Sequence, residues 1–307
     1  MTPRPEFQER FFIYVLGPNQ DTRLTSVAAG QETQDILLKL DTDAAFVMTG
    51  RAVRTPFTTA TFNQSTLVGL KSKWADASKT FRFQDYVLES LQMAYYGQQG
   101  NPKPIGPGVL FPAGSVFRTD LRHTGANTIA NLTYFLFGYK LFPWGSVIAN
   151  AYPKDIAPQT FAYPVFTSQL GVTETRQNQM FTVKTDADFV IRGGQSFPLS
   201  SVASRTLAEV AIVLKDPDKK PYSNDYVPLD ILFGCGNQPA IIPVGPTPSF
   251  TVPFGTGPQS MGLFYPEIYV PKNHQILYDI QRTDGAGGSN QSEDLTFNLI
   301  GSKVFTK

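Results

Sequence analysis

One phrase is written twice in this chain. Residues 132–142 read LTYFLFGYKLF and residues 295–305 read LTFNLIGSKVF, with six of eleven positions identical: Leu132/Leu295, Thr133/Thr296, Leu136/Leu299, Gly138/Gly301, Lys140/Lys303 and Phe142/Phe305. Other echoes keep the same order. TDAAFV (42–47) answers TDADFV (185–190), and DYV (85–87) answers DYV (225–227). GNP (100–102) is close to GNQP (236–239), and FPAGSVFRTDLR (111–122) aligns with VPKNHQILYDIQ (270–281), Pro112 on Pro271 and Asp120 on Asp279. Five echoes in order predict a duplicated framework. The length differences fall in Gly-, Pro- and Ser-rich stretches, 243–260 and 282–294, which read as loops. A common frame tolerates insertions there. The expected division is 1–145 for a first domain with an N-terminal arm, 146–160 for an ordered connector, and 161–307 for a second domain.

The repeat also arbitrates secondary structure. SVFRTDLR alternates polar and apolar positions, as a half-buried strand does. LTYFLFGYKLF is almost continuously apolar and aromatic, which predicts a strand covered on both faces. QDYVLESLQMAYYG (84–97) has helical features, but its counterpart NDYVPLDILFGCG carries Pro228, which argues for strands in both. TLAEVAIVLKD (206–216) reads as a strand. The expected class is all-β, with two tandem, duplicated β-sandwich or jelly-roll domains.

Composition narrows the functions. The 307 residues hold 26 Lys+Arg and 25 Asp+Glu, and the basic residues form no run, so no nucleic-acid partner is expected. Only 17% of residues are charged, which suits a surface engaged with partners. The single cysteine, Cys235, forms no internal disulfide. The N-terminus lacks the pattern of a secretory signal, and the longest apolar stretch, 132–144, is interrupted by Lys140 and too short for a membrane span. A protein of a reducing cytoplasm is expected.

Chemistry-bearing motifs are scarce. The two histidines, His123 and His274, have no carboxylate or cysteine at ligand spacing and read as loop or strand-edge residues. Asp43/Asp186 and Asp120/Asp279 recur, and paired carboxylates can serve acid–base chemistry or bind calcium. One per repeat, at strand starts or within strands, they read instead as turn or cross-strand partners. GCGNQP and FGTGPQS lack the strand–turn–helix context of a nucleotide loop. Cys235 reads as a small packed residue. The sequons at Asn63, Asn131 and Asn290 carry no weight without a secretory signal. Trp74 and Trp144 are too few for a sugar-stacking platform, so the aromatics read as core. No catalytic, cofactor or metal residue is assigned, and no enzymatic activity is expected.

A domain opening TDADFV, with a G-x-G-N-x-P-like turn, then a proline strand containing Asp-Leu or Asp-Ile, and a closing L-x-G-x-K strand, resembles the β-sandwich domains of tailed-bacteriophage virion proteins. The residues that carry the resemblance are 42–47, 100–102, Pro112, 120–121 and 136–140, and again 185–190, 236–239, Pro271, 279–280 and 299–303. Ala45 departs from the acidic position held by Asp188. The resemblance implies a minor capsid, decoration, collar or tail-associated protein that assembles in the host cytoplasm. It would act by packing, as a homo-oligomer, against other virion proteins and its own copies. Arms at residues 1–10 and 144–160 would add strands to neighbours. Two alternatives stay open: a double jelly-roll major capsid protein in trimeric capsomers, and a receptor- or carbohydrate-binding tail module.

Overall fold

The computed structural model describes residues 7–54, 69–75, 85–88, 94–95, 103–126, 128–143, 159–171, 173–199, 209–233, 262–283 and 293–304. These form strands almost throughout, and the chain divides into two compact units.

The first unit contains β1 (Phe7–Leu16), β2 (Ser26–Val27), β3 (Glu32–Lys39), β4 (Ala45–Arg54), β5 (Leu70–Ala75), β6 (Val87–Leu88), β7 (Ala94–Tyr95), β8 (Lys103–Phe111), β9 (Val116–His123), β10 (Ile129–Ala130) and β11 (Thr133–Pro143). One sheet runs β1-β11-β4-β8 and a second runs β3-β9-β5-β6. These pairs are antiparallel; β7 adds a short parallel pair to β4, and β2 and β10 make a small ribbon. Consecutive long strands pair with distant partners, so the chain crosses repeatedly between the sheets.

The second unit contains β12 (Gln159–Leu170), β13 (Thr175–Thr182), β14 (Asp188–Leu199), β15 (Glu209–Lys215), β16 (Val227–Pro228), the short helix α1 (Leu229–Phe233), β17 (Gly262–Val270), β18 (Gln275–Thr283) and β19 (Glu293–Val304). Its sheets are β12-β19-β14-β17 and β13-β18-β15-β16, all antiparallel. Strand for strand this is the order of the first unit. The echoed residues coincide in register. Phe46 faces Phe111 as Phe189 faces Val270, and Tyr14 faces Leu136 as Tyr163 faces Leu299.

Alternation places the core between sheets. Phe12, Tyr14 and Leu16 of β1, Phe46 and Met48 of β4, Phe111 of β8, Phe117 and Leu121 of β9, and Leu136 of β11 form one cluster in the first unit. Tyr14 meets Phe46 edge-on at 4.9 Å between ring centroids; Tyr163 meets Phe189 in the same way at 4.7 Å, a geometry that suits the ring quadrupoles. As its apolar run predicts, β11 is buried on both faces from Tyr134 to Phe137. So is β1 from Phe11 to Leu16.

Three expectations need correction. The stretch 282–294, expected as a loop, begins on β18 with Arg282 and Thr283 and ends on β19 with Glu293 and Asp294. Pro228 does not forbid helix in its segment. It ends the two-residue β16 and directly precedes α1, so it stays outside the helix interior, where proline would break the hydrogen-bond ladder. His123 is no loop or edge residue. It lies on β9, between β3 and β5, and is fully buried. The Cys235 loop, Trp144, the sequons at Asn63 and Asn290, and most of the arm and connector fall outside the described residues.

The closing strands lie unusually near their β4-type neighbours. A Cβ on Gly138 would stand 1.9 Å from the Val47 carbonyl oxygen, and one on Gly301 would stand 1.8 Å from that of Val190. The obstacle is backbone in both cases and cannot swing away. Gly138→Ala and Gly301→Ala should therefore each destabilise their unit by ~3 kcal/mol or more. Gly30→Ala, where φ is +75° and nothing lies within 4 Å, should cost only ~1 kcal/mol for the left-handed backbone. Urea unfolding of the three variants checks this, and equal losses would refute the close-approach argument.

Candidate functional site

The repeated acidic residues resolve into two devices, each built twice. The first is a clasp on the closing strand. Lys140 projects from β11 with its side chain only 5% exposed. Its ammonium donates to Asp41 Oδ2 at 2.6 Å and to both Asp43 oxygens at 3.0 and 3.1 Å. It lies 4.0 Å from the Phe12 ring centroid, where the electron-rich face adds to the attraction. Beside it the Tyr14 hydroxyl accepts the Asp41 amide at 3.0 Å. Burial first of all, and then the negative charge of Asp41 and Asp43, push that hydroxyl well above the ordinary tyrosine range.

In the second unit Lys303 of β19 donates to Asp186 Oδ2 at 2.5 Å and sits 5.9 Å from the Tyr163 ring. The Tyr163 hydroxyl accepts the Lys184 amide at 3.3 Å. The lysine hydrogen bond holds the Asp186 carboxyl below its usual range. Asp188, where the first unit has Ala45, accepts the Tyr269 hydroxyl at 2.6 Å and the Lys272 amide at 2.8 Å. The Tyr269 hydroxyl is raised in turn, by burial first and then by its bond to Asp188.

The second device is an edge lock. β3 and β13 are edge strands, and each bulges against its neighbour: between Thr33 and Ile36, and between Arg176 and Gln179. The bulges hold Asp35 at φ 56° and Asn178 at φ 51°, left-handed conformations that Asp and Asn adopt more readily than most residues. Asp120 on β9 accepts the Asp35 amide at 2.9 Å, and Asp279 on β18 accepts the Asn178 amide at 2.8 Å. Basic side chains complete each lock. Arg118 and Lys73 lie 3.3 and 3.7 Å from Asp120, and Lys215 lies 2.6 Å from Asp279. In the first unit Arg23 also donates to the Gln34 and Asp35 carbonyls at 2.8 and 2.6 Å.

Next to the first lock lies a polarised surface cluster. Glu32 accepts from Arg122 at 2.8 Å and from the Tyr86 hydroxyl at 2.9 Å. The Arg122 guanidinium and the Lys73 ammonium stand 4.3 and 4.8 Å from the Tyr86 ring centroid. Hydrogen bonds from Gln34, Arg122 and Tyr86 pull the Glu32 carboxyl down to about 2. Burial, and then the bond to Glu32, push Tyr86 up to about 12. Both groups thus hold one protonation state across the neutral range, which suits a fixed cross-link between strands and not proton transfer.

The DYV echo is structural as well. The amides of Tyr86 and Tyr226 each donate to the preceding aspartate side chain, Asp85 and Asp225, at 2.7 Å. Trp74 is buried against Phe117. His274 is exposed in the β17–β18 turn, its Nδ1 3.1 Å from the Lys272 carbonyl. Among the described residues no group of three or more His, Cys, Asp or Glu could hold a metal ion. Among them, too, no helix is long and apolar enough to cross a membrane.

Four charged residues escaped sequence reading, one of them Arg282, which is fully buried on β18 with its Nη1 donating to the Leu170 carbonyl at 2.9 Å. Lys140 and Lys303, which recur within the repeated apolar phrase, are both buried. Arg51 is 1% exposed in the first unit's core, its guanidinium carbon 5.2 Å from the Trp74 ring and 5.7 Å from Phe117. Gly194 occupies its register position in the second unit. The recurrence of Lys140 and Lys303 was the one available signal, and Arg51 left none.

No family model and no curated protein matches the chain. Solved structures similar to it include a peptide-N(4)-(N-acetyl-β-D-glucosaminyl) asparagine amidase, at TM-score 0.22 and 8% identity over 96% of this chain and 97% of that one. Infectious bursal disease virus Gt strain gives TM-score 0.18 and 10% identity, covering 100% and 80%. T=1 particles derived from infectious bursal virus give 0.19 and 10%, covering 99% and 75%. These scores fall short of a shared fold, and no conclusion about function rests on them.

The edge lock makes a graded prediction. Asp120→Ala removes a buried carboxylate that holds the Asp35 amide and two cations, and should cost about 2 kcal/mol. Asp279→Ala removes a more exposed one and should cost about half that. Denaturant titration of each variant is the measurement, and a larger loss for Asp279→Ala would contradict the assignment.

Proposed function

We propose that the chain is a non-enzymatic structural protein of a virion, built from two tandem jelly-roll domains that arose by duplication and working by subunit packing. The observation that carries the reading is the strand order. Numbering eight strands of each unit in sequence, the two-residue β6 and β16 included and the short β2, β7 and β10 set aside, gives sheets 1-8-3-6 and 2-7-4-5, twice. That order supports a jelly-roll reading, an architecture common in viral capsids. The order favours the capsomer form of the proposal, in which three chains associate through six jelly rolls, over a collar, tail or receptor-binding part. The resemblance to tailed-phage virion domains is compatible with the general role.

Several edge strands favour packing through faces and loops over strand exchange, whereas β1, an edge strand with no proline and an unbroken register, is left open to it. β8 carries Pro104 and Pro107 where its register with β4 shifts, and β17 carries Pro266 where its register with β14 shifts. β12 carries Pro164, and β3 and β13 carry the locked bulges. Prolines and bulges on edge strands oppose pairing with another chain. Neighbours would then meet rigid frames through their connecting loops, with many weak contacts adding up in a symmetric array.

Purified protein at micromolar concentration should sediment as a trimer, with larger assemblies at higher concentration. Particles that contain it should hold hundreds of copies by quantitative mass spectrometry. A strict monomer, or about a dozen copies per particle, would overturn the capsomer form. Absence from particles would overturn the structural role as a whole.

A further inference from the structure

Large apolar side chains seldom face water in this chain. Among the described residues the exposed ones are Leu37, Leu110, Val116 and Met180. Two of these share one place in the duplicated frame. In the first unit the bulge of β3 is followed by Ile36, Leu37 and Leu38, opposite Thr119, Arg118 and Phe117 of β9. In the second the bulge of β13 is followed by Gln179, Met180 and Phe181, opposite Tyr278, Leu277 and Ile276 of β18. Leu37 and Met180 are therefore equivalent, each two residues beyond the left-handed Asp35 or Asn178. Leu37 is 48% exposed and Met180 is 58% exposed. Aligned on their bulges, ETQDILLK and TRQNQMFT share only Gln34 and Gln177, yet both turn a large apolar side chain outward at this point. A single exposed leucine needs no explanation; the shared register does.

The surroundings fit a copy of the same surface. Ile36 and Leu38 point into the first unit's core, so alternation turns Leu37 and Lys39 to the outer face. Val116 stands opposite Lys39 and diagonally across from Leu37, and it extends the exposed apolar spot. The exposed residues of β3 then run Asp35, Leu37, Lys39: an acid, an apolar centre and a base. Turned end for end about Leu37, that order is its own complement. A second copy laid antiparallel across the strand sets Leu37 on Leu37, Asp35 on Lys39 and Lys39 on Asp35, the self-matching that a two-fold contact requires. Arg118 already lies 2.9 Å from the Asp35 carboxylate, whose side chain still stays 60% exposed, and a carboxylate has lone pairs for more than one donor. The second unit repeats the centre without the charges, as Asn178, Met180 and Thr182, so no like charges oppose each other there.

We infer that the outer faces of β3 and β13 are where copies of this chain meet across two-fold contacts, with Leu37 or Met180 at the axis. The inference rests on the proposed capsomer and adds what joins one capsomer to the next, because a two-fold contact cannot close a ring of three. The bulges that oppose backbone pairing on these edges leave the side-chain face available. One such contact is small and weak. It gains strength by number, since a trimer presents it on every unit.

Sedimentation velocity on the full chain over a concentration series tests the contact. The variants are the double substitution Leu37→Glu with Met180→Glu and, as a control, Leu110→Glu, at an exposed leucine of β8 in the other sheet. The double variant should remain trimeric and need about tenfold more protein to form larger species, the scale of losing a central apolar anchor. Leu110→Glu should behave as the unaltered chain. Leu37→Cys under mild oxidation should join two copies through position 37, seen as a linked peptide by mass spectrometry, because a residue on a two-fold axis faces itself within disulfide range. Larger species that are absent from the unaltered chain, unmoved in the double variant or equally lost in Leu110→Glu would overturn the contact and leave the trimer standing. So would the lack of a disulfide at position 37. Loss of the trimer in the double variant would place these residues in the wrong interface and also overturn it. A chain that stays monomeric at every concentration would overturn the capsomer and the contact together.

Discussion

The closing strand of each unit approaches its neighbour more nearly than any side chain permits. At Gly138 and Gly301 a single methyl group would collide with a carbonyl oxygen of β4 or β14. Each glycine lies at or beside a register shift in that pairing. The rest of the unit depends on this contact. The closing strand lies between the first and third long strands, and two residues beyond the glycine stands the buried lysine that ties the sheet to the turn before that third strand. Close approach, bulge and buried charge form one local arrangement, and a change in any of them shifts the others.

The acidic residues then divide their labour by depth. Those in the turns before β4 and β14 neutralise a cation that has left water. Those on β9 and β18 accept an amide that a bulge has turned away from its ladder. In both devices the carboxylate compensates a group that the sheet itself cannot satisfy, which is where a charged partner is worth most. The same four aspartates that look like candidates for acid–base chemistry are occupied in keeping two frames rigid.

Much of this was legible in the sequence, because repetition substitutes for depth of information. The second copy of a segment limits how the first can be read, and so the strands, the order of the echoes and the paired aspartates could be placed. Pro228 shows the limit of that logic. A proline excludes a helix interior, but the boundary it enforced here was a helix start. His123 read as a loop or edge residue because alternation indicates which residues share a face and not how deeply the strand lies. Lys140, Lys303 and Arg51 were illegible for a related reason. A buried charge is stabilised by partners distant in sequence, 99 positions away for Asp41 and Lys140, and no local pattern announces them.

The placement of Trp74 has an optical consequence. The chain has two tryptophans, and both precede residue 145. Trp74 lies in the first unit's core, against both the Arg51 guanidinium and the Phe117 ring. Its emission therefore reports on that unit's interior, with a cation close enough to alter the excited state. Everything from residue 161 onward holds only tyrosine and phenylalanine. Emission from Trp74 will follow one half of this molecule while the other unfolds unseen.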